Sequence, residues 1–418
     1  MSGDATPGRG GRGARHRVVV TGLGVVTSIG TGVDAFAAGL RAGRSGVKPI
    51  SAFDTTGFAY SNACEITDFD PSAWLATTSP DDLGRAAQFA VAASRMAVAD
   101  AGLTAQQVRD VRSLVSVGTT DGESRDLDHL TALQVAGGED TLDEVAARRV
   151  WPGRLSAGIV RELGLEDVET VTVPTACAAG NYAVGYGYDA ISSGDVEMAL
   201  CGGADALCRK TFTGFYRLGT IAPDVCRPFD ADRQGILTGE GSGILLMESL
   251  ESALARGARI YAEVLGYGLS CDASHPVAPD RDSIARCITA AHRNAGIEAA
   301  DVDFISAHGT GTRANDVTEV GAIRQVFGDT LPRTVSIKSM IGHTMGAASA
   351  LASAACALAL RDGFIPPTIN HRSTDPECAV DCVPNEAVEA ELRVVQNNGL
   401  AFGGNNAVLV LGKWEQAA

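Results

Sequence analysis

An α/β fold made of two related halves is the architecture this sequence predicts, and three observations carry the prediction. Short apolar segments recur, each followed by small residues and then a helical pattern, and the series runs twice along the chain. The apolar residues are mostly Ala, Val, Leu and Ile mixed with 49 glycines, while aromatics make up only 5%. That composition suits helices packed closely on buried parallel strands rather than an aromatic-rich binding surface. With 418 residues, 45% of them hydrophobic, the chain can bury one large core or two ordinary ones.

In the first half, strands are expected at 17–21, 113–117, 171–174 and 198–201. In the second they are expected at 261–265, 302–307, 335–337 and 400–402, with a last one at 407–411. The strand ends correspond as well. Gly118-Thr119-Thr120 answers Gly309-Thr310-Gly311, and Gly202-Gly203-Ala204-Asp205 answers Gly403-Gly404-Asn405-Asn406. The halves are therefore expected at 17–255 and 256–418, behind a disordered tail at 1–16. That tail is rich in Gly, Arg and small polar residues and has no apolar stretch of the secretory-signal kind.

A net charge of -16 argues against nucleic acid or an anionic membrane as the main partner, because neutralising phosphates needs concentrated Lys and Arg. The ten cysteines include no C-x-x-C pair and fit reduced thiols in a cytoplasmic protein. The longest uncharged apolar run, 344–360, is largely Ala, Gly and Ser and is too short for a bilayer; it reads as a buried helix.

The chemistry concentrates at strand ends. Thr172 to Gly180 (TVPTACAAG) places Cys177 where a buried strand gives way to a helix of small residues. Free amides at a helix N-terminus favour a thiolate and can hydrogen-bond an oxyanion, so the position suits a nucleophile. It equally suits an inert core cysteine, and the residue alone leaves both readings open. His308 ends another expected strand, and Lys338 and His343 follow a third. Cys177 and His343 occupy equivalent strand-to-helix junctions, and would face each other if the halves pack about a pseudo-twofold axis.

Gly22-Leu23-Gly24 and the Gly239 to Gly243 stretch lack the spacing of a dinucleotide or phosphate loop, so their glycines are read as close-packing positions and no cofactor is expected. Cys378 and Cys382 lack His or Cys companions in sequence, and no metal site is expected.

These segments, together with Arg227-Pro-Phe-Asp230, His308-Gly-Thr-Gly-Thr312, Lys338-Ser-Met-Ile-Gly-His343 and Phe402-Gly-Gly-Asn-Asn406, resemble the elongating β-ketoacyl-acyl carrier protein synthases of fatty acid and type II polyketide pathways. The resemblance spans nearly the whole chain. It implies a thiolase-like fold, with two pseudo-symmetric αβαβα halves in a five-layered arrangement. It implies an acyl carrier protein and malonyl- and acyl-carrier thioesters as partners and substrates. It also implies a dimer, either of identical chains or with a chain-length-factor-like subunit.

By the same resemblance Cys177 would accept the acyl group, while His308 and His343 would bind the malonyl thioester carbonyl. The amides of Cys177 and Phe402 would form an oxyanion hole, with Phe402 as a gate. Lys338 and Glu319 would buttress the histidines as an ion pair; Asp316-Val-Thr-Glu319 reads equally as a helix cap followed by an acid in the first turn. A non-condensing subunit that only binds acyl chains is the contrasting possibility, and the joint presence of Cys177, His308 and His343 speaks against it.

The chain departs from the fatty acid pattern in the loop Gly118 to Glu123 (GTTDGE), where Thr120 and Asp121 fall about where small and apolar residues would line an acyl pocket. A carboxylate there carries a desolvation cost unless it is paired. The Ala176 to Asn181 segment (ACAAGN) also departs from the fatty acid pattern, and the loop after His308 is similar to polyketide members, so polyketide or polyene synthesis is expected, with fatty acid elongation as the alternative. Arg209, Lys210, Arg217 and Arg227 cluster in sequence as a candidate docking patch for an acidic carrier.

Overall fold

A computed structural model describes residues 15–415, so the expected tail falls, apart from its last two residues, outside the described region. The first half supplies strands β1 (Val18–Thr27), β2 (Ser113–Gly118), β3 (Val168–Val173), β4 (Met198–Asp205) and β5 (Gly241–Ser249). The second supplies β6 (Ala262–Cys271), β7 (Phe304–Ser306), β8 (Arg333–Val335), β9 (Val394–Gly399) and β10 (Asn405–Gly412).

Their order in one continuous sheet is β8-β7-β9-β10-β6-β1-β5-β4-β2-β3. Each half therefore repeats a single topology, 1-5-4-2-3 against 6-10-9-7-8, related across the antiparallel β1–β6 pair. Within each half the first-to-cross strands are parallel, and the last strand, β5 or β10, runs antiparallel to both of its neighbours. Such internal duplication is the tertiary form of the twofold repeat seen along the sequence.

Helices α1 (Arg85–Asp100) and α2 (Arg154–Leu163) cover the first half, and α4 (Arg281–Ala295) and α5 (Arg313–Phe327) the second. Between them α3 (Ala179–Ser193) and α6 (Ala347–Asp362) pack on each other and on strands of both halves. This gives the five layers of a thiolase-like fold. Every residue of α6 from Ala347 to Leu360 is buried, which is why a run so poor in charge belongs in the middle layer of the core. Among the described residues no helix is long and apolar enough to cross a membrane.

Close packing dictates the small residues. A Cβ at Gly24 on β1 would lie 1.7 Å from the Ala93 carbonyl oxygen of α1, and one at Gly180 on α3 would lie 2.5 Å from the Ala350 nitrogen of α6. Gly24→Ala should therefore lower the melting temperature by several degrees without altering the site, a shift that thermal unfolding followed by circular dichroism would register.

Two expected strands need correction, and two observed strands were not expected. β5 was not expected as a strand, although the glycines at its start are close-packing positions as read: they admit α6 across the sheet, with a Cβ at Gly243 only 3.0 Å from the Leu351 nitrogen. The expected strand at 400–402 is in fact the turn after β9, and Phe402 lies in a short 3-10 segment. β9 escaped notice because it reads Val-Val-Gln-Asn-Asn-Gly, polar residues that are nevertheless buried. Consequently β4 and its Gly202-Gly203 correspond to β9, not to Gly403-Gly404. At the third position of the second half, the strand stops at Val335 and Ile337 already caps the short helix Lys338–Ile341.

Candidate active site

Cys177 sits in a 3-10 turn, Ala176–Ala178, that leads directly into α3. The preceding Ala176 has φ +50°, a left-handed conformation that costs a non-glycine residue free energy and sets the thiol at a sharp elbow. His308 follows β7, and His343 follows the helix Lys338–Ile341 just ahead of α6. The duplicated topology carries these strand ends to one place. The Cys177 sulfur and one nitrogen of each imidazole all lie within 4.8 Å of one another, and the two rings stand edge to face at 5.4 Å.

All three side chains are buried at the base of a cavity of about 220 Å³. Its walls are mainly apolar, with Phe215, Ile236, Val277, Leu400 and Phe402 among them, and Thr310, Thr312 and Asn315 add polar groups along one side. The backbone N–H of Phe402 donates toward the Cys177 sulfur, while the ring of Phe402, 37% exposed, lies 5.5 Å from that of Phe215.

Electrostatics set the resting protonation states. Burial pushes the Cys177 thiol up to about 12, opposed by the positive charge of Lys338. Burial is the largest influence on the resting thiol, so the amides at the head of α3 act on charge that develops during attack rather than on a standing thiolate. Burial, with Lys338 nearby, also holds both histidines well below the usual imidazole range. Both are neutral. The Met345 N–H donates to His343 Nδ1 at 3.1 Å, which leaves the proton on Nε2. Alkylation of Cys177 by iodoacetamide should accordingly rise about tenfold per unit from about pH 7 to about pH 10 without a plateau. A plateau near neutrality, read from the mass of the active-site peptide, would mean that the thiol is pre-ionised.

Glu319 and Lys338 hold the His308 segment by its backbone. Glu319 accepts the N–H groups of His308 and Gly309, each at 2.8 Å, and Lys338 Nζ donates to the His308 carbonyl at 2.6 Å. Asn398 and Asn315 side chains satisfy the remaining carboxylate lone pairs at 3.0 and 3.3 Å. Glu319 and Lys338 therefore meet through the His308 backbone instead of forming the direct ion pair that the resemblance implied. Asn315 and Asn398 were not singled out from the sequence; Asn398 could have been suspected as a polar residue in an otherwise apolar strand pattern.

The remaining candidates fall elsewhere. Asp121 pairs with Lys210 at 2.8 Å and accepts from the Thr211 hydroxyl at 2.6 Å, and neither Asp121 nor Thr120 is among the residues lining the cavity around Cys177. The feared desolvation of a lone carboxylate is thus offset by a cation and a hydroxyl. On the helix Arg209–Arg217, Arg209 stacks over the Phe58 ring and Arg217 is exposed, whereas Lys210 is engaged by Asp121. Arg227 is buried and forms a two-bond pair with Asp224.

Two sequence models match the chain, "Beta-ketoacyl synthase, N-terminal domain" over residues 15–253 and "Beta-ketoacyl synthase, C-terminal domain" over residues 261–372. The chain belongs to the β-ketoacyl synthase family. Among curated relatives, this synthase is 36% identical to 3-oxoacyl-[acyl-carrier-protein] synthase 2 of Synechocystis over 96% of its length and 99% of that protein's. It is 37% identical to nodulation protein E of Rhizobium meliloti over 94% and 98%. Among solved structures, the ishigamide ketosynthase/chain length factor is 63% identical, with a TM-score of 0.95, covering 96% of this chain and 100% of that one. A type II polyketide synthase ketosynthase solved in complex with its acyl-carrier protein is 30% identical, with a TM-score of 0.88 and the same coverage. The synthase is an acyltransferase of the elongating 3-oxoacyl-carrier type, with its Cys-His-His set assembled in the fold.

Proposed function

We propose that Cys177 carries the growing chain and that His308 and His343 drive the decarboxylation of a carrier-bound malonyl unit. In the first half-reaction the Cys177 sulfur bonds to the carbonyl carbon of an acyl-carrier thioester, and the carrier thiol leaves with the proton. The transient oxyanion is stabilised by the backbone amides of Cys177 and Phe402. In the second, malonyl-carrier loses its carboxylate as carbon dioxide, and the electron pair of the broken bond passes into a thioester enolate. Hydrogen bonds from His308 and from His343 Nε2 stabilise the enolate oxygen. The enolate carbon then attacks the acyl carbon and expels the Cys177 sulfur, leaving a β-ketoacyl-carrier.

The observation that carries this reading is the convergence of one thiol and two neutral imidazoles within 4.8 Å at the base of an apolar cavity. Neutral donors suit the task, because an enolate must be stabilised without being protonated. Incubation with an acyl-carrier thioester should add the acyl mass to the Cys177 peptide, and a malonyl-carrier chase should release it as β-ketoacyl-carrier. An unmodified Cys177 peptide would refute the reading.

The pathway we assign is type II polyketide or polyene synthesis, with an acyl carrier protein as substrate carrier and a chain-length-factor-like subunit as partner. The 63% identity to the ishigamide ketosynthase/chain length factor supports it. Fatty acid elongation is the second reading, favoured by the full-length match to 3-oxoacyl-carrier synthases. Competition between a saturated and a polyenoyl carrier of equal length separates the two. The polyenoyl chain should be preferred; equal use of the two would favour fatty acid elongation. For carrier docking, Arg209 and Arg217 are exposed and form no ion pair among the described residues, so reversing both should raise KM for carrier substrates and flatten its salt dependence. Unchanged kinetics across ionic strength would place docking on another face.

A further inference from the structure

Asp205, the last residue of β4, is fully buried, and its carboxylate has no cation within ion-pair distance among the described residues. It is satisfied instead by four donors. The Thr119 hydroxyl and the Asp121 N–H donate to one oxygen at 2.6 and 3.0 Å; the Thr120 and Gly346 N–H groups donate to the other at 2.8 and 2.6 Å. Three of these donors come from the loop after β2 in the first half, and the fourth comes from the second half.

The fourth donor matters because of where Gly346 stands. The residue before it, Met345, donates its N–H to His343 Nδ1 and has φ +52°, a conformation costly for a side chain of that size. On its other side, the Gly346 carbonyl accepts the Gly180 N–H at 3.1 Å, three residues beyond Cys177 on the nucleophile's helix. A Cβ at Gly346 would lie 2.5 Å from Thr119 backbone atoms, so only glycine lets this peptide reach Asp205. The Gly346 peptide is thus a junction between the two halves, and Asp205 is the group that anchors it.

We propose that Asp205 is a positioning residue for His343. By holding the Gly346 N–H it fixes the strained Met345 peptide, which in turn keeps His343 Nδ1 as an acceptor and aims Nε2–H into the cavity. His308 needs no such help, since Glu319 and Lys338 clamp its backbone from within the second half. This division makes the nucleophile's half of the molecule set one of the two enolate donors supplied by the other half. The inference deepens the function proposed above and rests on the role given there to His343.

Asp205→Asn keeps the size of the side chain but turns one acceptor into a donor; the Thr119 hydroxyl can turn to accept from it, whereas the backbone N–H of Asp121, or those of Thr120 and Gly346 in the other orientation, cannot, so the junction loses at least one hydrogen bond. Decarboxylation of malonyl-carrier should fall about 100-fold, the scale expected when a catalytic group is misplaced by about 1 Å. Transfer of an acyl group onto Cys177 should fall far less, a split that general destabilisation would not produce. The second readout is nitrogen NMR of histidine-labelled protein, assigned with His343→Ala. In the unaltered enzyme His343 should be protonated at Nε2 alone; in Asp205→Asn it should show mixed tautomers, with the His308 signals unmoved.

Wild-type decarboxylation with unchanged His343 signals in Asp205→Asn would overturn the proposal. So would a proton on Nδ1 of His343 in the unaltered enzyme, a measurement that stands even if the variant does not fold. If the unaltered enzyme showed the Nε2 tautomer yet failed to decarboxylate malonyl-carrier at all, the role assigned to His343 would fail instead, and the two failures stay distinguishable.

Discussion

Cys177→Ala should abolish condensation outright, because the acyl chain then has no atom on which to wait while the malonyl unit is decarboxylated. The loss is a change of mechanism rather than of a single hydrogen bond. No acyl mass should appear on the 177 peptide, and no β-ketoacyl-carrier should form at any enzyme concentration. Cys177→Gln should behave differently. Its side chain places an amide carbonyl about where the acyl thioester carbonyl would sit, so the histidines face an imitation of the acylated enzyme. Malonyl-carrier should then be decarboxylated at or above the wild-type rate while condensation stays absent, with acetyl-carrier as the product. Condensation by Cys177→Ala would remove the thiol from the mechanism.

His343→Ala and His308→Ala should each slow malonyl decarboxylation by about 100- to 1000-fold, the equivalent of about 2.7 to 4 kcal/mol for one lost oxyanion-type donor. The effect is large because the donors are buried and neutral, fixed by Met345 in one case and by Glu319 and Lys338 in the other. Acyl transfer onto Cys177 should survive in part, since its oxyanion is held by backbone amides that neither substitution removes. Measuring carbon dioxide release and acyl-enzyme formation separately decides the matter. Decarboxylation at the wild-type rate in both variants would show that the enolate is stabilised by other groups.

The chemistry was legible because it is local. A cysteine between a buried strand and a helix of small residues, a histidine just past a later strand and another between the next strand and its helix of small residues, are patterns that survive in one dimension; the doubled order of strands predicted that they would meet. Composition served equally well for α6, whose short uncharged run of Ala, Gly and Ser reads as a buried helix and is one. The strand β9 failed for the opposite reason. Gln396, Asn397 and Asn398 look like a loop until their partners are known, and those partners are far away in sequence: Asn397 donates to Asn181 on α3 at 2.9 Å, and Asn398 to Glu319 on α5 at 3.0 Å. The loop of Phe402 was displaced into a strand by the same omission.

What the sequence by itself determined is the family, the duplicated α/β architecture and the meeting of Cys177, His308 and His343, since each depends on spacing and residue type over short stretches. Only the tertiary structure decided how those side chains are charged and held. It placed Glu319 and Lys338 on the backbone of His308 instead of on each other, gave Asp121 a cation in Lys210, and brought Asp205 to the Gly346 amide 141 residues away. The physical reason is that a buried polar group takes its energy, its protonation state and its orientation from whichever partners the packing delivers to it, and that packing is set by contacts between distant segments which no local pattern records.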